Sequence, residues 1–224
     1  MSTISKEDYI KAIYTDQQRN GKNVSATYLA GKLNVSKAAV SDMGKKLANQ
    51  GFIKYEAYRG ATITKKGEKL ALNLLRRHRL WEVFLMDVLK LDWGEVHEEA
   101  EKLEHLTSEK LIDAIDKYLH YPKFDPHGHP IPNKLGEFPH TPAVVSLKES
   151  QIKKKYRIVR FDDESFELMK YFSRLGISLY SEIYLSDRLE FDDSVFVEVA
   201  GRTQALSSKI AERIFVTELE AKDD

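Results

Sequence analysis

At 224 residues, with 42% apolar and 31% charged side chains, the chain is long enough for one large or two modest soluble domains with real cores. It has no cysteine, which excludes disulfides and thiolate zinc sites and agrees with a reducing, cytoplasmic home. The formal charge is zero, yet residues 1–80 hold 16 Lys+Arg against 6 Asp+Glu, a balance of +10, and residues 81–224 hold 19 against 29, a balance of −10. A basic block followed by an acidic one points the first part toward a polyanion. The polar stretch Met1 to Tyr14 lacks the apolar core of a signal peptide, and no run approaches the roughly 18 apolar residues of a membrane span. Neither export nor membrane insertion is expected.

In chain order, Ser5 with Asp8 forms a capping pair that opens a first helix through Tyr9, Ile10, Ile13 and Tyr14 to about Arg19. Asn20, Gly21 and Lys22 turn the chain. Ser25 starts a short helix from Ala26 to Leu33, and Asn34 and Val35 lead tightly to Ser36, which caps a third helix ending near Asn49 before Gly51. Two short helices joined by a few residues, the second polar and basic outside, are the pattern of a helix-turn-helix. Phe52 to Ala57 and Ala61 to Lys65 are β-leaning runs around Tyr58, Arg59 and Gly60, a hairpin of the kind called a wing. A long helix then runs from Lys66 to about Leu91, a second from Trp93 or Gly94 to Leu106, and a third from Ser108 to Leu119. Their apolar content exceeds what one helical hairpin buries, so a dimer interface is expected here. All six prolines fall between Pro122 and Pro142 and mark an irregular connection. Beyond Val144 the period changes, with strands at Tyr156–Phe161, Leu179–Leu185 and Val195–Val199 and a helix from Phe166 to Leu175 closed by Gly176.

The chemistry-bearing residues sit on the middle helices. His78 and Glu82 are one turn apart, and His97, Glu101, Glu104 and His105 recur at i, i+4, i+7 and i+8. On a helix the second set spans a stripe of roughly 100° beside the apolar stripe of Val96, Ala100, Leu103 and Leu106. Imidazoles and carboxylates at the edge of a buried surface are costly unless a cation neutralises them, so a divalent metal is the economical explanation. A solvated Glu/Lys face is the competing reading of any carboxylate-rich helix. The three histidines and the upstream DNA-binding pattern decide against it.

Five short motifs then occur in one order: Glu7-Asp8-Tyr9-Ile10, Tyr58-Arg59-Gly60, Arg77-His78-Arg79-Leu80 with Glu82, His97-Glu98-Glu99-Ala100-Glu101 with Glu104-His105, and Pro126 to Pro132. In these the chain resembles the metal-dependent transcriptional repressors of the diphtheria toxin repressor and manganese transport regulator family, in the long form. The resemblance covers residues 3–142; the last 80 match in length and strand pattern. It implies a mainly α protein with small β parts: a winged helix-turn-helix domain (1–70), a helical metal-binding and dimerisation domain (71–142) and an SH3-like β domain (143–224). It implies a primary metal site of Asp8, Glu101, Glu104 and His105 with His78, and a second of Glu82 and His97 with Asp125 and His127, which Asp162 or Asp163 closes. Asp8 and Glu101 stand where iron-responsive members have methionine and cysteine. The position one turn after Asp8, a glutamate in manganese-responsive relatives, is Lys11, which argues against a two-metal cluster of that type. Arg157 and Arg160 occupy the places where some relatives take ligands from the last domain. An oxygen-rich set with imidazoles suits Mn(II) first and Fe(II) as the alternative, with Zn(II) able to enter in vitro.

The implied activity is that of a metal-activated homodimeric repressor on a palindromic double-stranded operator, with no membrane and no small-molecule substrate. Ser36, Ala38, Ala39 and Ser41 occupy the first turns of the recognition helix, where small side chains favour methyl and water-mediated contacts; Lys37, Lys45, Lys46 and Arg59 are phosphate candidates. Gly44 within that helix costs about 1 kcal/mol relative to alanine. One alternative is a winged-helix regulator with a purely structural metal. Another, a dinuclear metalloenzyme, needs Glu-x-x-His on two helices, but Lys102 and Gly94 stand three before His105 and His97.

Overall fold

The computed structural model describes residues 6–21, 23–56, 59–162 and 165–219. The expected cap Ser5, the turn residue Lys22, the wing residues Ala57 and Tyr58, and the candidate ligand Asp163 lie outside the described residues. The chain forms two compact units: Met1–Arg77 with Pro132–Glu137, and His78–Ile131 with Phe138–Asp224.

The first unit holds α1 (Lys6–Asn20), α2 (Ala26–Lys32) and α3 (Lys37–Asn49), and α2 and α3 follow the caps written in the sequence. Ser25 and Ser36 have extended backbone, and their hydroxyls accept from the N–H groups of Tyr28 and Ala39, satisfying donors that a helix start leaves open. Ile10, Ile13, Leu29, Val40 and Leu47 bury the inner faces of the three helices, joined by Ile53 and Ala61 from the hairpin. Each of the larger aliphatic side chains contributes about 1.5–3 kcal/mol on leaving water. The hairpin pairs β1 (Ile53–Glu56) antiparallel to β2 (Gly60–Ile63), and Val24 adds a bridge to Ala61 on the other side. Helix α4 (Lys65–Asp87) starts in this unit and continues into the second.

The second unit packs the end of α4 with α5 (Val96–Leu103) and α6 (Glu109–Tyr118) around Leu80, Val83, Ile112, Ile115 and Ile131, with Leu85, Val96 and Ala100 as a smaller cluster. Helix α6 opens as expected, with the Ser108 hydroxyl accepting from Leu111 N–H. Helix α4 stops at Asp87, short of Leu91, because Lys90 turns left-handed (φ 61) and Leu91 N–H donates to Leu85 C=O. Helix α5 is also shorter than the apolar pattern suggested. Glu104 to Leu106 form a turn, so Leu106 leaves the buried stripe and is 87% exposed.

The rest of this unit is a six-stranded antiparallel sheet in the order β3-β8-β4-β5-β6-β7: β3 (Val145–Ser146), β4 (Lys154–Phe161), β5 (Glu182–Arg188), β6 (Val195–Val199), β7 (Arg202–Leu206) and β8 (Ile214–Glu218). Helix α7 (Phe166–Leu175) packs Met169 and Phe172 on its inner face and ends at Gly176 with φ 73; α8 (Ser208–Ala211) is a single turn. The expected strand at Leu179–Leu185 is displaced toward the C-terminus. Ser178 and Ser181 hold each other in a turn with Tyr180 at φ 66, so pairing begins only at Glu182.

Candidate functional site

Helix α4 presents His78 and Glu82 from successive turns, α5 presents His97 and Glu101 in the same way, and the turn after α5 adds Glu104 and His105. His105 therefore lies beyond the helix on which the spacing placed it. The side chains nevertheless converge. His78 Nδ1 lies 2.5 Å from Glu104 Oε2, and its Nε2 lies 3.0 Å from Glu82 Oε1 and 3.1 Å from His97 Nδ1. His97 Nδ1 is also 3.2 Å from Glu82 Oε1, while Glu101 Oε1 is 3.9 Å from His78 Nδ1 and 4.0 Å from His97 Nε2. His105 Nε2 is 3.5 Å from Glu104 Oε1. The two carboxylates at the heart of this cluster, Glu82 and Glu104, are 0% exposed.

The proline-rich segment supplies Asp125 and His127. Asp125 Oδ1 accepts the backbone N–H groups of both His127 and His129, which fixes the carboxylate and leaves Oδ2 facing His129 Nδ1 at 3.4 Å and Arg79 Nε at 3.5 Å. Gly128 is required here. Its φ is 88, and a Cβ would stand 2.0 Å from the Val159 carbonyl of β4, so only glycine lets the segment lie flat on the strand. His127 C=O accepts from Phe161 N–H, and Trp93 stacks on the His127 ring with centroids 5.8 Å apart. The ring is fully buried 3.7 Å from Glu82 Oε1, and neither nitrogen has a hydrogen-bond partner among the described residues.

Three groups have ligand atoms within 4.8 Å of one another: His78, His97 and Glu101; Glu101, Glu104 and His105; and Glu82, Asp125 and His127. They form a chain of contacts through His78, with His97 touching both the Glu82 and the Glu101 ends. Buried carboxylates of this number carry a large desolvation cost, and a fully buried His127 imidazole with neither nitrogen hydrogen-bonded among the described residues can serve as a ligand. The residues present therefore fit a divalent cation. With oxygen and imidazole donors and no thiolate, they suit Mn(II), Fe(II) and Zn(II). Asp162, a candidate from the last domain, contacts Arg160 Nε at 2.9 Å and His129 Nε2 at 3.6 Å. Asp8 sits in the first turn of α1, where a carboxylate also favours the helix dipole.

In the first unit, Lys37, Ala38, Ala39, Lys45 and Lys46 are all exposed on α3, and Ser41 is half-buried. The Ser36 hydroxyl already serves as the cap acceptor. Arg59 on the wing pairs with Glu56 at 3.1 Å, an exposed contact weak enough for a phosphate to displace.

Comparison with known proteins bears on this arrangement directly. Residues 1–61 match the model described as "Iron dependent repressor, N-terminal DNA binding domain", residues 64–133 "Iron dependent repressor, metal binding and dimerisation domain", and residues 145–218 "FeoA domain". An uncharacterised HTH-type transcriptional regulator of Methanocaldococcus jannaschii is 37% identical over 115 residues, which is 51% of this chain and 92% of that protein. The chain belongs to the iron-dependent repressor family. A solved structure titled a manganese-dependent transcriptional repressor in complex with manganese superimposes with a TM-score of 0.88 and 38% identity, covering 96% of this chain and 100% of the other. The iron-dependent repressor IdeR of Mycobacterium tuberculosis is 36% identical over 126 residues, 56% of this chain and 54% of IdeR.

Within this member of the family, two supporting residues escaped the sequence reading. Arg79 faces Asp125, and its position beside His78 was the available signal; Trp93 covers His127, and no local pattern announced that contact. Its indole N–H also donates to Pro126 C=O.

Proposed function

We propose that this metal-dependent transcriptional repressor takes Mn(II) as its corepressor, with Fe(II) as the alternative effector and Zn(II) as an in vitro substitute, and binds a palindromic operator as a homodimer in the cytoplasm. The observation that carries the reading is the convergence of buried His78, Glu82 and Glu104 with half-buried His97, Glu101 and His105 in one cluster inside the segment matched to the metal-binding and dimerisation domain. Relatives named for manganese and for iron both occur, and the hard, thiol-free donor set favours manganese.

In the proposal, Asp8 joins Glu101, Glu104 and His105 as the ligand contributed by the DNA-binding domain, with His78 beside them, and Glu82, His97, Asp125 and His127 serve a second ion. A bound cation neutralises the buried carboxylates and so favours one arrangement of their side chains. Because metal acts only through its different affinity for DNA-competent and incompetent states, metal and DNA each strengthen the binding of the other. Ser36, Lys37, Ala38, Ala39, Ser41, Lys45, Lys46 and Arg59 form the DNA contact set. Exposed Leu89, Leu106, Leu111, Tyr118 and Tyr121 fit an interface with a second copy.

The test is an operator titration with Mn(II), Fe(II) and Zn(II), comparing wild type with Glu101→Ala and Asp8→Ala. The proposal expects tight binding with Mn(II), loss of affinity in chelator, and a blunted metal response in both variants. Full metal response in both variants would overturn the ligand assignment, and operator binding indifferent to metal would favour a purely structural ion.

A further inference from the structure

Gly44 lies inside α3, where glycine normally weakens a helix, and the structure supplies a reason for it. A Cβ at Gly44 would stand 2.9 Å from two ring carbons of Tyr55 and 3.2 Å from a third. The missing side chain leaves a notch, and the ring of Tyr55 from β1 fills it. Ser41 and Gly44 are three residues apart and share one face of α3. The Tyr55 hydroxyl reaches that earlier turn and donates to Ser41 Oγ at 3.1 Å. On β1, Ile53 and Tyr55 face the same side while Lys54 and Glu56 point to solvent, so the contact is built into the register of the hairpin.

We infer that Tyr55 is a specificity-positioning residue of the DNA-reading surface: it orients the Ser41 hydroxyl as a hydrogen-bond donor toward a base acceptor in the major groove, with Gly44 providing the space. This rests on the reading of α3 as the recognition helix. A serine hydroxyl has one proton and two lone pairs and rotates freely unless a partner fixes it. Accepting from Tyr55 occupies one lone pair and leaves the proton to be donated elsewhere. Ser41 is half-buried, with Lys37, Ala38 and Lys45 of the same helix exposed around it, so its proton has a path to the outer face. In the major groove such a donor matches guanine N7 or O6, adenine N7 or thymine O4, and opposes the amino group of cytosine. Contact of small side chains with thymine methyls is therefore only part of the recognition this helix offers.

The experiment uses the full-length protein with Mn(II) and a pool of duplexes carrying a randomised segment. Bound sequences are selected for wild type, Tyr55→Phe and Ser41→Ala, and then affinities for the selected site and its single-base variants are measured. The expected result is that both variants lose the same base preference at one position of each half-site, by about three- to tenfold, with other positions unchanged. The double variant should lose no more than either single one. Tyr55→Phe keeps the ring in the notch, so folding is not at stake, and a merely structural role would lower affinity evenly across sequences. Tyr55→Phe with a wild-type preference at every position, or an even loss across the site, overturns the inference. Ala39→Asp separates this failure from failure of the underlying reading. If α3 enters the groove, a carboxylate there abolishes selection; if Ala39→Asp selects the wild-type site, the recognition-helix reading itself falls.

Discussion

The DNA-reading surface and the metal cluster are assembled in opposite ways. Helices α2 and α3 and the wing come from one stretch of fewer than fifty residues, each element opened by its own cap or turn, and their exposed side chains require only that the helix form. The cluster gathers residues 78, 82, 97, 101, 104, 105, 125 and 127 from two helices, a turn and a proline-rich segment, and it buries charge that only mutual proximity or a cation offsets. A local surface tolerates change one side chain at a time. A cluster drawn from distant segments makes each member depend on the others, so damage there should be larger and less additive.

The sharpest break of that contrast is Glu104→Ala. It removes the carboxylate facing His78 and should lower Mn(II) affinity on the order of a hundredfold, since even outer-sphere partners of metal ligands carry about 10- to 100-fold. Isothermal titration of the variant checks it, and wild-type affinity would show that the buried cluster is not the binding site. Next is metal removal. At Mn(II) a hundredfold above its dissociation constant, binding adds about 2.7 kcal/mol to stability, a midpoint rise of roughly 5–10 °C for a unit of this size. Calorimetry with and without chelator measures the difference, and coincident transitions would count against a cation among these acids.

Gly128→Ala tests whether the proline-rich segment belongs to the cluster. The left-handed backbone and the close approach to Val159 should make the change cost about 2 kcal/mol and loosen His127, weakening metal binding as well. Chemical denaturation and metal titration of one preparation separate the two effects. The smallest effect belongs to the reading surface. Lys45→Ala should weaken binding to every sequence similarly and reduce the salt-dependence slope by about 1, measured from affinities across a range of salt concentrations. A change in base preference instead would move Lys45 from the phosphates to the bases.

Ser25, Ser36 and Ser108 each accept with the hydroxyl from the third N–H of the helix that follows, and all three helix starts were legible because the cap and the N–H that donates to it are neighbours in sequence. The ends of α4 and α5 were less so. Apolar periodicity continues past Asp87 and Leu103, but Lys90 adopts a left-handed backbone, and the turn at Glu104 turns Leu106 out to solvent. The edge strand β7, Arg202 to Leu206, buries only Leu206, so its sequence offers no run of alternating apolar residues to read. Strand β8 does alternate, with Ile214 and Val216 inward, a period-2 signal beyond the three expected strands.

Residue chemistry and spacing alone determined which groups were ligand candidates, that the donors were oxygen and imidazole without sulfur, and that a basic helical segment preceded them. Those properties are intrinsic to side-chain type and helical period. Only the tertiary structure decided that His78 stands between Glu82 and Glu104, that Asp125 is fixed by two backbone N–H groups beside Arg79, and that Tyr55 fills the notch at Gly44. These contacts join residues from 2 to 46 positions apart, and the longer ones depend on how buried surfaces close around the elements that carry them.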